Sequence, residues 1–188
     1  YVSPILSPGI PHMLDDIDRV LISEADIAAR SKTLAARISA DYAGKPLTIV
    51  VISNGALIFG ADLVRQIPIP LQLDTISASS YSGVKSTNEL TIHSGLKLEI
   101  ENRHVVVVDD IFDTGLTLAR IVESLQEHAP LDIRTCVLLD KKRPRGERIV
   151  EVPALCSAFS SHQYTLRFRF FHPGFLLAAS LRHDLSSR

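Results

Sequence analysis

Three carboxylates within five positions, Asp109, Asp110 and Asp113, close a run of β-branched residues (His104–Asp110, HVVVVDD) and lead into Thr114-Gly115-Leu116-Thr117. An unpaired carboxylate is too costly to leave in a core, so a strand that stops in acids aims them at a crevice. Carboxylates in such a place suit sugar hydroxyls and a divalent cation. The tetrad after them offers consecutive backbone N–H groups and two hydroxyls at a helix start, a concavity matched to phosphate oxygens. Gly115 allows close backbone approach. No lysine sits in this turn, so the GxxxxGK[ST] pattern of a triphosphate loop is not met. A sugar monophosphate is the better fit. The plainer alternative is a solvated strand end whose last aspartate caps a helix.

A site of this kind sits at the carboxyl end of a parallel strand, and the rest of the chain reads as the sheet that would hold it. Ser23, with Glu24 and Asp26 behind it, is a helix N-cap. Ile27, Leu34, Ile38 and Tyr42 then recur at helical spacing until Gly44 and Pro46 stop the helix. Leu47–Ile52 predicts a strand, Ser53-Asn54-Gly55-Ala56 a tight turn, and residues 57–66 a helix. Leu71–Ser77 predicts another strand, and the polar stretch 79–88 a long functional connection. Thr91–His93 and Lys97–Ile100 flank Ser94-Gly95 and predict a β-hairpin. An amphipathic helix over 119–129 and a strand over 133–139 follow, then the basic run Lys141-Lys142-Arg143-Pro144-Arg145. Strands alternating with helices predict an α/β fold, a mostly parallel sheet flanked by helices.

Composition narrows the function classes. With 188 residues, 46% hydrophobic, the chain can bury the core of one α/β domain. A net charge of −1 supplies no global basic field for nucleic acid or anionic lipid. Its longest apolar runs fall far short of a membrane span. Cys136 and Cys156 stand apart in sequence, without CxxC or zinc-ligand spacing, and read as reduced thiols of a cytoplasmic protein. Residues 1–13 are proline-rich and read as a disordered or loosely packed extension before a core of 14–152.

The stretch Asp109-Asp110-Ile111-Phe112-Asp113-Thr114-Gly115-Leu116-Thr117 resembles the phosphoribosyl-pyrophosphate motif of the type I phosphoribosyltransferases, and within them the hypoxanthine-guanine branch. Asp18–Ser23, Ala61-Asp62-Leu63 after the Asn54-Gly55 turn, Ser80-Tyr81 and Leu138–Arg145 fall in that family's order, so the resemblance spans 14–152. It implies that fold with a small hood, and a purine-salvage enzyme that joins hypoxanthine or guanine to phosphoribosyl pyrophosphate. Asp109 and Asp110 would hold the ribose hydroxyls, directly or through water on Mg2+, where the family more often has Glu-Asp. Asp113 would be the general acid/base at the purine, and Thr114, Gly115, Leu116 and Thr117 would bind the 5′-phosphate. Asn54 and Gly55 would line the pyrophosphate loop, Asn54 standing where a basic residue is common. Ser80 and Tyr81 would open the loop that covers the site, and Lys141 would donate to the 6-oxo group. By itself the run 141–145 reads as a solvated basic loop. The family also implies a homodimer or homotetramer.

After Pro153 the resemblance stops. The family's aromatic-Val-Asp is absent from 153–188, which reads as a substituted or frame-shifted terminus with an altered hood. Its alternation Arg167-Phe168-Arg169-Phe170-Phe171 reads as an edge strand or, less readily, an aromatic–basic nucleic-acid surface. His162, His172 and His183 lack ligand spacing and read as surface residues. The rivals to the salvage enzyme are a xanthine-preferring relative and a non-catalytic nucleotide-sensing or RNA-binding regulator. A phosphotransferase built on aspartates is disfavoured, because those folds place their acidic strand early in the domain.

Overall fold

The computed structural model describes residues 19–80, 90–141, 154–161 and 177–179. The extension 1–13, Tyr81 with the rest of 81–89, Lys142–Arg145, Arg167–Phe171 and His162, His172 and His183 lie outside those residues. The chain divides into two units, 1–27 with 164–188, and 28–163. In the first, β1 (Arg19–Ile22) pairs antiparallel with β8 (Leu177–Ala179), Arg19 opposite Ala179.

Helix α1 (Glu24–Asp41) starts where the sequence predicts. The Asp26 N–H donates to Ser23 Oγ at 3.1 Å, and the Ser23 hydroxyl donates to Asp26 Oδ2 at 2.6 Å, a reciprocal N-terminal lock. Leu34, Ala35, Ile38 and Tyr42 are buried along one stripe. Beyond them Gly44 turns the chain with φ of 71°.

A six-stranded sheet organises the second unit. Its order is β4 (Leu90–Ser94), β3 (Leu71–Ser80), β2 (Leu47–Ser53), β5 (His104–Phe112), β6 (Asp132–Lys141), β7 (Ala154–Ser161). Every neighbouring pair is parallel except β3 and β4. The central strands are buried on both faces, which is why LTIVVI and VVVV are continuous apolar runs instead of alternating ones. On one face Val50, Ile52, Val105 and Val107 pack against Leu118, Ile121, Val122 and Leu125 of α3 (Leu116–Gln126). On the other, Val51 lies beneath Gly60 of α2 (Leu57–Val64). A methyl group at residue 60 would stand 2.7 and 2.9 Å from the two Val51 γ-carbons. Gly60→Ala is therefore expected to lower stability by about 1–3 kcal/mol, because overpacking outweighs the ~1 kcal/mol that alanine gains in helix propensity. An unchanged or raised urea midpoint would sink this expectation.

Local pattern misassigns three places. Lys97–Ile100 is no hairpin strand. The N–H groups of Lys97 and Leu98 donate instead to Asp74 Oδ2, at 2.7 and 2.9 Å, and β4 pairs with β3. Asp74 is an acid in an apolar strand, 6% exposed, and these bonds plus one from the Thr75 N–H at 2.8 Å offset its burial. Helix α3 begins at Leu116, ahead of the predicted 119, because Gly115 adopts φ of 78° and accepts the first helical bond from the Ala119 N–H at 2.8 Å. Strand β3 runs on to Ser80, so Ser79 and Ser80 belong to the sheet. The cysteines that stand apart in sequence meet in register, Cys136 of β6 opposite Cys156 of β7, and Cys136 is buried.

Candidate active site

Parallel register brings the carboxyl ends of β2, β5 and β6 to one edge of the sheet. Val51 lies beside Val108 and Phe112 beside Asp140, so Asn54-Gly55, the acidic tip and Lys141 emerge side by side. Strand order reverses here, β3 lying to one side of β2 and β6 to the far side of β5. Such a switch point is where ligands bind in open parallel sheets.

Asp109 is the last buried residue of β5, 9% exposed, and its Oδ1 accepts the Asp110 N–H at 2.9 Å. Burial first, then the adjacent Asp110 carboxylate, push the Asp109 carboxyl up to about 8; the bond from the Asp110 N–H pulls the other way. Asp110 is half-buried and faces the turn after β2. A methyl group on Gly55 would lie 2.6 Å from Asp110 Oδ2 and 3.0 Å from Oδ1, so the loop backbone and this carboxylate are in direct contact. The Ser53–Asn54 peptide is cis, and the Ser53 hydroxyl donates to the Ile76 carbonyl at 3.3 Å, tying the turn to β3.

Past the strand, Asp113 meets Lys141 from the end of β6, Oδ1 to Nζ at 3.3 Å. Lys141 is 23% exposed and Asp113 42%, so the pair is open to a ligand. Thr114 Oγ1 accepts the Leu116 N–H at 3.4 Å, and no side chain caps α3 at Gly115. That leaves the first turn of the helix with N–H groups to offer an anion. Among the described residues no three His, Cys, Asp or Glu side chains form a metal-ligand group.

Of the residues singled out in the sequence, Asn54, Gly55, Asp109, Asp110, Asp113, Thr114, Gly115, Leu116, Thr117 and Lys141 all stand on this edge. Ser80 ends β3, and Tyr81 lies outside the described residues. Asp74 belongs to none of the sequence motifs, although an acid inside LQLDTIS signals that something must hold it.

The family model of the phosphoribosyl transferase domain matches residues 21–155, most of the chain and every residue of this edge. The chain belongs to the phosphoribosyltransferase family. A hypoxanthine-guanine-xanthine phosphoribosyltransferase from Tritrichomonas foetus is 40% identical over 162 residues, 85% of this chain and 87% of the relative. A hypoxanthine-guanine phosphoribosyltransferase from Staphylococcus aureus is 40% identical over 134 residues, 71% of this chain and 75% of its own length. Among solved structures, a hypoxanthine phosphoribosyltransferase from Staphylococcus aureus superposes with a TM-score of 0.79 at 32% identity, covering 96% of this chain and all of that one. These relatives favour the phosphoribosyltransferase reading over the non-catalytic rival, and the solved one shares this chain's fold. Among the described residues no helix is long and apolar enough to cross a membrane.

Proposed function

We propose that this phosphoribosyltransferase salvages 6-oxopurines in the cytoplasm, transferring the phosphoribosyl group of phosphoribosyl pyrophosphate to hypoxanthine or guanine, with IMP or GMP and pyrophosphate as products. The observation that carries the reading is the 3.3 Å meeting of Lys141 and Asp113, the residue just before the Thr114–Thr117 turn. A cation and a carboxylate at that distance can divide a purine between them. Lys141 donates to the oxygen at C6, where adenine has an amino group and no acceptor. Asp113 takes or gives the proton at the imidazole edge. Thr114 to Thr117 hold the 5′-phosphate, and Asn54-Gly55 offers backbone N–H groups to the pyrophosphate.

Asp109 and Asp110 face the ribose hydroxyls. Two crowded oxygen donors, one held up to about 8 in part by its neighbour, also fit a divalent cation, whose positive charge relieves that repulsion. Bound there through water, Mg2+ would neutralise charge on the departing pyrophosphate. The chain's own contribution is to align N9 of the base with C1 of the ribose, to place carboxylates beside the positive charge that develops on the ring, and to exclude water as a competing nucleophile. Assembly as a homodimer or homotetramer belongs to the same reading.

A pyrophosphate-release assay with each base tests it. Release is expected with hypoxanthine or guanine and not with adenine; xanthine belongs in the panel because the Tritrichomonas foetus relative carries that base in its name. Release with adenine alone, or with no purine, overturns the reading. Lys141→Ala is expected to raise KM for the accepted 6-oxopurine about 10-fold or more, the usual weight of one charged hydrogen bond. KM for phosphoribosyl pyrophosphate is expected to move far less.

A further inference from the structure

Gly55 is not glycine for the sake of its backbone. Its φ lies outside the left-handed region, which among the described glycines is occupied by Gly44 and Gly115. Alanine would therefore meet no torsional penalty at position 55. What it would meet is Asp110: Oδ2 at 2.6 Å, Cγ and Oδ1 each at 3.0 Å. All three nearest atoms belong to that one carboxylate, whose Oδ2 occupies the space a β-carbon would need.

Asp110 is held from the other side as well. It sits in β5 between β2 and β6, and its N–H is bonded to Asp109 Oδ1 at 2.9 Å. With the backbone fixed, a methyl group at residue 55 leaves the carboxylate one response, rotation away from the loop. That rotation is cheap for folding, because Asp110 is only half-buried. It costs ligand binding instead, because a site must hold its groups within about 0.5 Å of the productive geometry.

We propose that Gly55 is a positioning residue for Asp110: the bare α-carbon lets this carboxylate lie against the loop backbone, so that one acid serves the ribose and the pyrophosphate halves of the site together. Side by side, a carboxylate and a pyrophosphate repel. Their adjacency is useful where sugar hydroxyls or the hydration shell of a cation lie between them, and both come with phosphoribosyl pyrophosphate. The inference rests on the salvage reading and adds to it a coupling between the ribose acid and the leaving-group loop. Asp109, bonded to the Asp110 amide, supports the same placement from below.

A double-mutant cycle tests the coupling. The unsubstituted protein, Gly55→Ala, Asp110→Ala and the double variant are compared for KM of Mg2+–phosphoribosyl pyrophosphate, KM of the purine, and thermal unfolding. Gly55→Ala is expected to raise the first KM about 10-fold, with purine KM within about twofold and unfolding nearly unchanged. In the Asp110→Ala background the same substitution is expected to add little, because the carboxylate that the methyl group would press on is gone. Penalties that multiply across the two sites, or a Gly55→Ala enzyme with unchanged KM, overturn the coupling while leaving the activity standing. Absence of pyrophosphate release from the unsubstituted protein overturns both.

Discussion

Asp113→Asn is expected to lower kcat for pyrophosphate release by about 10²–10³-fold, within the ordinary range for loss of a positioned acid–base group. Asparagine keeps the size and shape of the side chain and removes its ability to exchange a proton. The fold has little stake in the change: Asp113 lies beyond the last residue of β5, 42% exposed. The substitution also removes the charge that Lys141 meets at 3.3 Å, so part of the loss is expected to appear in purine KM as Lys141 loses its anchor. Lys141 meets the Asp113 side chain and not the backbone of the Thr114–Thr117 turn, so KM for phosphoribosyl pyrophosphate should change by less than about threefold. Release at the full rate in Asp113→Asn would remove the acid–base role and leave Lys141 as the purine's main contact.

Much of this site could be read from the chain because its parts are local. A β-branched run that ends in acids and then Thr-Gly-x-Thr carries its strand, its exposed tip and its helix start within fourteen residues, 104–117. Parallel strands buried on both faces betray themselves by unbroken apolar runs, so LTIVVI and VVVV identify the centre of the sheet. What escaped depends on contacts between distant segments. Lys97–Ile100 has the composition of a strand, yet its amides are taken by Asp74, 23 and 24 residues away. The meeting of Cys136 with Cys156 is a consequence of β6–β7 register, which neither sequence neighbourhood encodes. The pressure of Asp110 on Gly55 is of the same kind. A glycine in Ser53-Asn54-Gly55-Ala56 is expected of any turn, and nothing local says that a carboxylate lies on it.

The largest effect on stability is expected at Asp109, and its sign follows from proton linkage. An exposed aspartyl carboxyl titrates near 3.8; in the fold, burial and the Asp110 carboxylate push Asp109 up to about 8. Between those values the folded protein holds a proton that the unfolded chain has released. The contribution of Asp109 to stability is therefore complete below about pH 4 and is lost as pH rises towards 8, with a slope of up to about 1.4 kcal/mol per pH unit. Asp109→Asn cannot ionise, and its amide oxygen can still accept the Asp110 N–H. The variant is thus expected to match the unsubstituted protein near pH 4, and to exceed it by a growing margin up to about pH 8. Urea unfolding of the ligand-free proteins across that range reads the difference, and parallel curves would contradict it. The same linkage bears on function. A ligand that prefers the ionised pair, such as Mg2+ with phosphoribosyl pyrophosphate, must displace that proton, so its binding should strengthen with pH over the window in which the empty fold weakens. Asp109→Asn should abolish this opposition, gaining stability above about pH 4 and losing the pH dependence of substrate binding together. A variant that gained the stability but kept the binding profile would assign the titration seen in binding to another group, and would leave Asp109 as an acid buried at a cost that the ligand does not relieve.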